Sequence, residues 1–101
     1  MERIQMQRII DGIRYDTEKA TLIAHNVFWD GHNFERHGRN TWLYRTPNGR
    51  YFTVTGTLWQ GERDTLRPVD EEEARRLYET MLPEHEVPYE EAFPHITIQD
   101  A

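Results

Sequence analysis

The sequence predicts an α+β domain: an antiparallel sheet of four or five strands, built from two hairpins, with one C-terminal amphipathic helix packed on one face. Three observations carry this. Asp11-Gly12 separates two short alternating apolar segments, and Pro47-Asn48-Gly49 separates two longer ones. Both are β-hairpin signals. After Val69 the apolar spacing changes to a helical period and holds until Pro83.

The first hairpin runs from Ile4 to Tyr15. Asp-Gly satisfies the two positive φ angles of a type I′ turn. Pairing Ile10 with Ile13 puts Ile4, Met6, Ile10, Ile13 and Tyr15 on one face. Asp16-Thr17-Glu18 then reads as a turn held by the Asp16 side chain. Residues 20–29 are β-branched and aromatic enough for a strand, and residues 30–40 form a polar loop bounded by glycines. In the second hairpin Pro47 presets φ, Asn48 suits the next position and Gly49 takes the left-handed one. Pairing Thr46 with Arg50 sets Tyr44 opposite Phe52 and Trp42 opposite Val54, a core face shared with Leu58. The other face, Leu43, Tyr51, Thr53, Thr55, Thr57 and Trp59, is expected to be half exposed.

The helix starts at an Asp70 N-cap with Glu73 at N3, a capping box with Val69 and Ala74 as its hydrophobic staple. Ala74, Leu77, Tyr78, Met81 and Leu82 form one apolar stripe, and Glu71–Arg75, Glu72–Arg76 and Arg75–Glu79 are spaced as surface pairs. A short turn between Pro88 and Pro94 is expected to lay Tyr89, Ala92 and Phe93 on the same core. Ile96 and Ile98 read as a terminal β segment or a docked tail.

At 101 residues and 12.2 kDa the chain is expected to be a single domain over 1–101. It has no apolar run near ~18 residues, so no membrane span is expected. Met1-Glu2-Arg3 leads into an alternating segment instead of an apolar leader. With no cysteine there is no disulfide, thiol nucleophile or Cys-based metal site. The expected setting is the cytoplasm, and no cofactor is expected.

Charge is the most informative functional feature. The net charge is −6, and between Asp70 and Asp100 ten acids face only Arg75 and Arg76. A field of that sign repels phosphate, so general nucleic-acid binding is disfavoured. The same field attracts a basic partner surface. Glu79, Glu84, Glu86, Glu90 and Glu91, with Tyr89 among them as an aromatic anchor, are the candidate partner-binding residues. Two alternatives belong to other classes. Arg45 and Arg50 at the hairpin tip, with Tyr51 and Trp59 as stacking faces, would make a small nucleic-acid-binding regulator. His25, His32 and His37 would serve a metal-dependent hydrolase, although their spacing matches no tight metal pattern. The chain has no Ser or Cys nucleophile and no Gly-rich phosphate loop, so no catalytic residue is assigned.

Three segments carry a family resemblance. They are Ile10-Asp11-Gly12-Ile13-Arg14-Tyr15-Asp16-Thr17-Glu18-Lys19-Ala20, Leu43-Tyr44-Arg45-Thr46-Pro47-Asn48-Gly49-Arg50-Tyr51-Phe52 and Pro68-Val69-Asp70-Glu71-Glu72-Glu73-Ala74. Together they resemble a group of small bacterial proteins of phages and integrative elements. That group shares an I-x-G-x-x-Y-[DN]-T-x-x-A opening, an L-Y-[RK]-x-x-x-G-x-[YW]-F hairpin and an E-E-A helix. The matching residues are turn formers, hairpin aromatics and a cap, so no catalytic residue carries over. By origin and size the resemblance implies an inhibitor of host defence, similar to anti-CRISPR proteins. The implied partner is a host protein or ribonucleoprotein complex with a basic surface, met as a monomer or homodimer in the bacterial cytoplasm. The 30–40 loop and the segment from Trp59 to Arg67 depart from the pattern.

Overall fold

The computed structural model describes residues 4–26, 39–57, 61 and 63–101. The histidines His32 and His37, the residues Leu58 and Trp59, and the end of the strand expected over 20–29 lie outside the described residues.

The fold is α+β, with two antiparallel sheets. A hairpin of β1 (Gln7–Ile10) and β2 (Ile13–Asp16) forms a sheet of its own. The main sheet has five strands: β3 (Thr21–His25), β4 (Arg39–Arg45), β5 (Tyr51–Thr57), β6 (Thr65–Val69) and the two-residue β7 (Glu84–His85). Their spatial order is β6-β5-β4-β3-β7. The helical segments are α1 (Glu71–Arg76), a π-helical turn over Leu77–Met81, and α2 (Tyr89–Ala92).

Both turns form for the expected reasons. Asp11 and Gly12 take φ of 53° and 76°, as a type I′ turn requires, and Ile10 pairs with Ile13. Gly49 takes φ of 84°, Thr46 N–H donates to the Arg50 carbonyl at 2.7 Å, and Tyr44 and Trp42 pair with Phe52 and Val54.

Two strands escaped the sequence reading. β6 carries Pro68 in its interior, which reads against a strand, yet it lies at the sheet edge where a missing N–H is tolerated. β7 is too short for periodicity to reveal. It exists because Glu86 N–H donates to the Ile23 carbonyl at 3.0 Å, beside the pairs Ala24↔His85 and His25↔Glu84.

The core lies on both faces of the main sheet. On one face Tyr15, Trp42, Tyr44, Phe52 and Val54 form a cluster, with Ile4, Met6, Ile10 and Ile13 of the first hairpin packed against it. Phe52 stacks on Tyr44 with centroids 5.0 Å apart and meets Tyr15 edge-on at 5.5 Å. The hairpin's start is tied down by Thr17, which accepts from Met6 N–H through Oγ1 at 2.9 Å and donates its own N–H to the Met6 carbonyl at 3.0 Å.

The opposite face departs from expectation. Leu43, Tyr51 and Thr53 are 0, 3 and 4% exposed rather than half exposed. The helical layer covers them: Ala74, Tyr78, Leu82, Ala92 and Phe93 pack there with Ile23, Ala24, Leu43 and Tyr51. Consecutive residues Ile23 and Ala24 both reach this cluster because a β-bulge interrupts the register between Leu22 and Ala24.

The expected single helix is also modified. Asp70 caps it as expected, accepting from Glu73 N–H at 2.7 Å. The Glu73 carboxylate does not complete the capping box; it takes both terminal nitrogens of Arg67 from β6. That guanidinium holds the Glu73 carboxyl below the usual carboxylate range. After Arg76 the helix widens to π geometry, closed by Leu82 N–H to the Leu77 carbonyl at 2.9 Å. The wider turn rotates each residue through a smaller angle. Leu82 therefore falls in line with Leu77, one wide turn earlier, and is buried at 2% exposed, whereas Met81 turns outward at 62%. Ile96 packs on the core edge and Ile98 is exposed, with no strand at this end of the chain among the described residues.

Phe93 is fully buried in the helical layer, with ring contacts to Tyr51, Tyr78 and Tyr89 at 5.0–5.6 Å. Phe93→Ala is expected to destabilise the fold by about 3–5 kcal/mol, whereas Asp70→Ala is expected to cost about 1 kcal/mol. Denaturant unfolding followed by circular dichroism checks both.

Candidate functional site

The segment between Pro88 and Pro94 is where the acidic residues meet aromatic surface. Pro88 stands at the N-cap with φ of −69°, and α2 is closed by Ala92 N–H to the Pro88 carbonyl at 3.0 Å and Phe93 N–H to the Tyr89 carbonyl at 2.8 Å. This single turn seats Ala92 and Phe93 in the core and leaves Tyr89 half buried at the rim. The Tyr89 hydroxyl then bridges two charges on the helix opposite. It accepts from Arg75 Nε at 2.9 Å and donates to Glu79 Oε2 at 2.7 Å. Arg75 and Glu79, expected as a direct surface pair, are thus joined through a phenol.

Two further tyrosines satisfy their hydroxyls inside the layer. Tyr51 donates to the Ala92 carbonyl and Tyr78 to the Val87 carbonyl, each at 2.7 Å. His85 stacks on Tyr78 at 3.7 Å, and its Nε2 reaches the Tyr78 carbonyl at 2.8 Å. A carbonyl only accepts, so in this contact Nε2 carries the proton. Burial pushes the phenols of Tyr51, Tyr78 and Tyr89 above their ordinary range, Arg45 pulling Tyr51 back and Arg75 pulling Tyr89 back.

The candidate acids divide into two groups. Glu79, Glu90 and Glu91 lie on the helical layer around Tyr89 and are exposed. Glu84 and Glu86 lie at the β7 edge, where Glu86 Oε2 contacts His25 Nε2 at 2.8 Å. Glu84, Glu90 and Glu91 form no ion pair among the described residues. Beside Tyr89 opens a groove of about 600 Å³, walled by Arg75 and Glu79 on one side and by Ile96 and Ile98 on the other. Sequence reasoning missed Arg75 and this tail as parts of the site. The available signal was a tyrosine in a Pro-bounded turn, whose hydroxyl needs a partner once its ring is buried.

The other sequence candidates disperse. Tyr51 is 3% exposed, so its ring offers no stacking face, because the helical layer claims it. Arg45 is half buried opposite Tyr51, with Nε unpartnered. Arg50 remains exposed at the tip, and Trp59 lies outside the described residues. Of the histidines, His25 is committed to Glu86, and among the described residues no three metal-ligating side chains converge. Among the described residues no helix is long and apolar enough to cross a membrane.

The raised phenols make alkaline stability testable. The unfolded chain ionises Tyr51, Tyr78 and Tyr89 near the ordinary value, about 10, and the folded chain ionises these three only above it. The unfolded state therefore loses protons first, and stability falls as pH rises through and past that value. Tyrosinate absorbance is expected to appear together with loss of ellipticity, and Tyr89→Phe is expected to retain most of this coupling while Tyr51→Phe diminishes it. No family model matches the chain, and neither does any curated protein or solved structure.

Proposed function

We propose that the chain is a non-enzymatic binding protein that uses its acidic helical layer to occupy a basic surface on a host nucleic-acid-handling complex, in the manner of an anti-CRISPR inhibitor. The observation that carries this reading is the grouping of exposed Glu79, Glu90 and Glu91 around the half-buried Tyr89, beside an open groove. The acids steer a cationic partner into place, and the aromatic supplies buried area once water is excluded. Arg75 is the nearest base on this layer, and its Nε is committed to the Tyr89 hydroxyl. A rigid anchor loses little entropy on binding, and Tyr89 is held by Arg75, Glu79 and Phe93 at once. The resemblance to phage and mobile-element proteins supplies the choice of a host defence complex as target.

The test is capture from bacterial lysate with tagged protein, with and without nuclease and at low and high salt. The expected result is a protein partner retained after nuclease and released by salt. A Glu90→Lys/Glu91→Lys variant is expected to weaken capture about tenfold or more, since like charges then face each other. Undiminished capture by that folded variant would overturn the reading, as would a partner lost on nuclease treatment.

A further inference from the structure

A second concavity shares no lining residue with the groove beside Tyr89. It holds about 260 Å³ and sits where the β2–β3 turn meets the tip of the β4–β5 hairpin. Three cations converge on it from separate elements: Arg14 from β2, Lys19 from the β2–β3 turn and Arg50 from the β4–β5 turn. None of the three forms an ion pair among the described residues. Asp16 is the one carboxylate lining it, and its Oδ1 accepts from Glu18 N–H at 2.9 Å within its own turn. A cationic hollow in a chain of net charge −6 runs against the sign of the whole molecule.

We propose that this hollow binds a phosphate group. Three positive charges against one negative leave an excess of two, which matches a phosphate monoester at about −1.5 to −2 near neutral pH better than a single carboxylate. Two guanidinium forks suit its tetrahedral oxygens, and Lys19 adds a point charge. The volume falls below the roughly 300–1,000 Å³ of pockets that enclose a drug-sized ligand. It therefore takes one or two phosphates and leaves the rest of the molecule outside. The frame is already set. The Asp16 carbonyl accepts from Lys19 and Ala20 N–H at 3.2 and 3.1 Å, and Thr46 Oγ1 accepts from Arg50 N–H at 3.0 Å. Little backbone ordering is then left to oppose binding.

The phosphate can belong to a small molecule or to a nucleic-acid strand. The acidic layer repels a long polyanion, so the small molecule is the occupant the charges favour.

Titration calorimetry at low ionic strength with pyrophosphate, a nucleoside monophosphate, a single-stranded oligonucleotide and acetate tests this. Saturable binding of pyrophosphate and the monophosphate is expected, with Arg14→Gln and Arg50→Gln each weakening it about tenfold. Arg76→Gln, on the helical layer, is expected to leave it unchanged. Tighter binding of the oligonucleotide with the same dependence on Arg14 and Arg50 keeps the site and names the strand as its source. Absence of saturable phosphate binding, acetate binding of equal strength, or an equal loss in Arg76→Gln would overturn the proposal. Thermal melts verify folding, and Lys19→Gln, exposed in a turn, carries the test if an arginine variant misfolds. The Glu90→Lys/Glu91→Lys protein is expected to keep its phosphate affinity, so this site and the acidic-surface reading stand or fall separately.

Discussion

The β4–β5 ribbon is apolar on both sides, and the first hairpin and the helical layer keep water off it. Trp42, Tyr44, Phe52 and Val54 point one way while Leu43 and Tyr51 point the other. A strand pair of this kind has no solvent-tolerant face, unlike the usual antiparallel sheet with one wet side. One cover is not enough. The short β1–β2 hairpin closes one side with Ile4, Met6, Ile10, Ile13 and Tyr15, and the helical segments close the other. A two-stranded hairpin alone is marginal in water, so β1–β2 and the main sheet stabilise each other.

The helical layer meets a harder demand, because it must bury tyrosines as well as hydrocarbon. A hydroxyl without a partner in the interior costs about 1–3 kcal/mol. The chain answers with the carbonyls of Ala92 and Val87, which accept from Tyr51 and Tyr78. The return of the chain through β7 and α2 after Leu82 sets these carbonyls in place. The π turn keeps Leu82 in the core and leaves Met81 exposed.

Charge follows this layering. Asp70, Glu71, Glu72 and Glu73 crowd the start of α1, where the helix dipole favours them. Further acids continue around Tyr89 and along β7. Three cations of the first half, Arg14, Lys19 and Arg50, line a hollow at the turns. The described residues therefore carry both signs in separate hollows: acids around Tyr89 on the helical layer and three cations at the turns. Net charge alone conceals the second of these.

Local chemistry was legible in the sequence wherever it rests on neighbouring residues. Asp11-Gly12 and Thr46-Pro47-Asn48-Gly49 specify their turns and registers because few residues tolerate positive φ. Asp70 specifies the helix start because its carboxylate reaches the third N–H beyond it. The exposure of Glu79, Glu90 and Glu91 was legible from their charge. What the tertiary structure decided are matters of long-range pairing. β6 and β7 exist through partners on β5 and β3. The second sheet face is buried because a helical stripe lies opposite, and the Arg75–Tyr89–Glu79 bridge spans elements that local spacing cannot bring together. Alternation along a strand says that two faces differ; only packing decides how many of them stay dry.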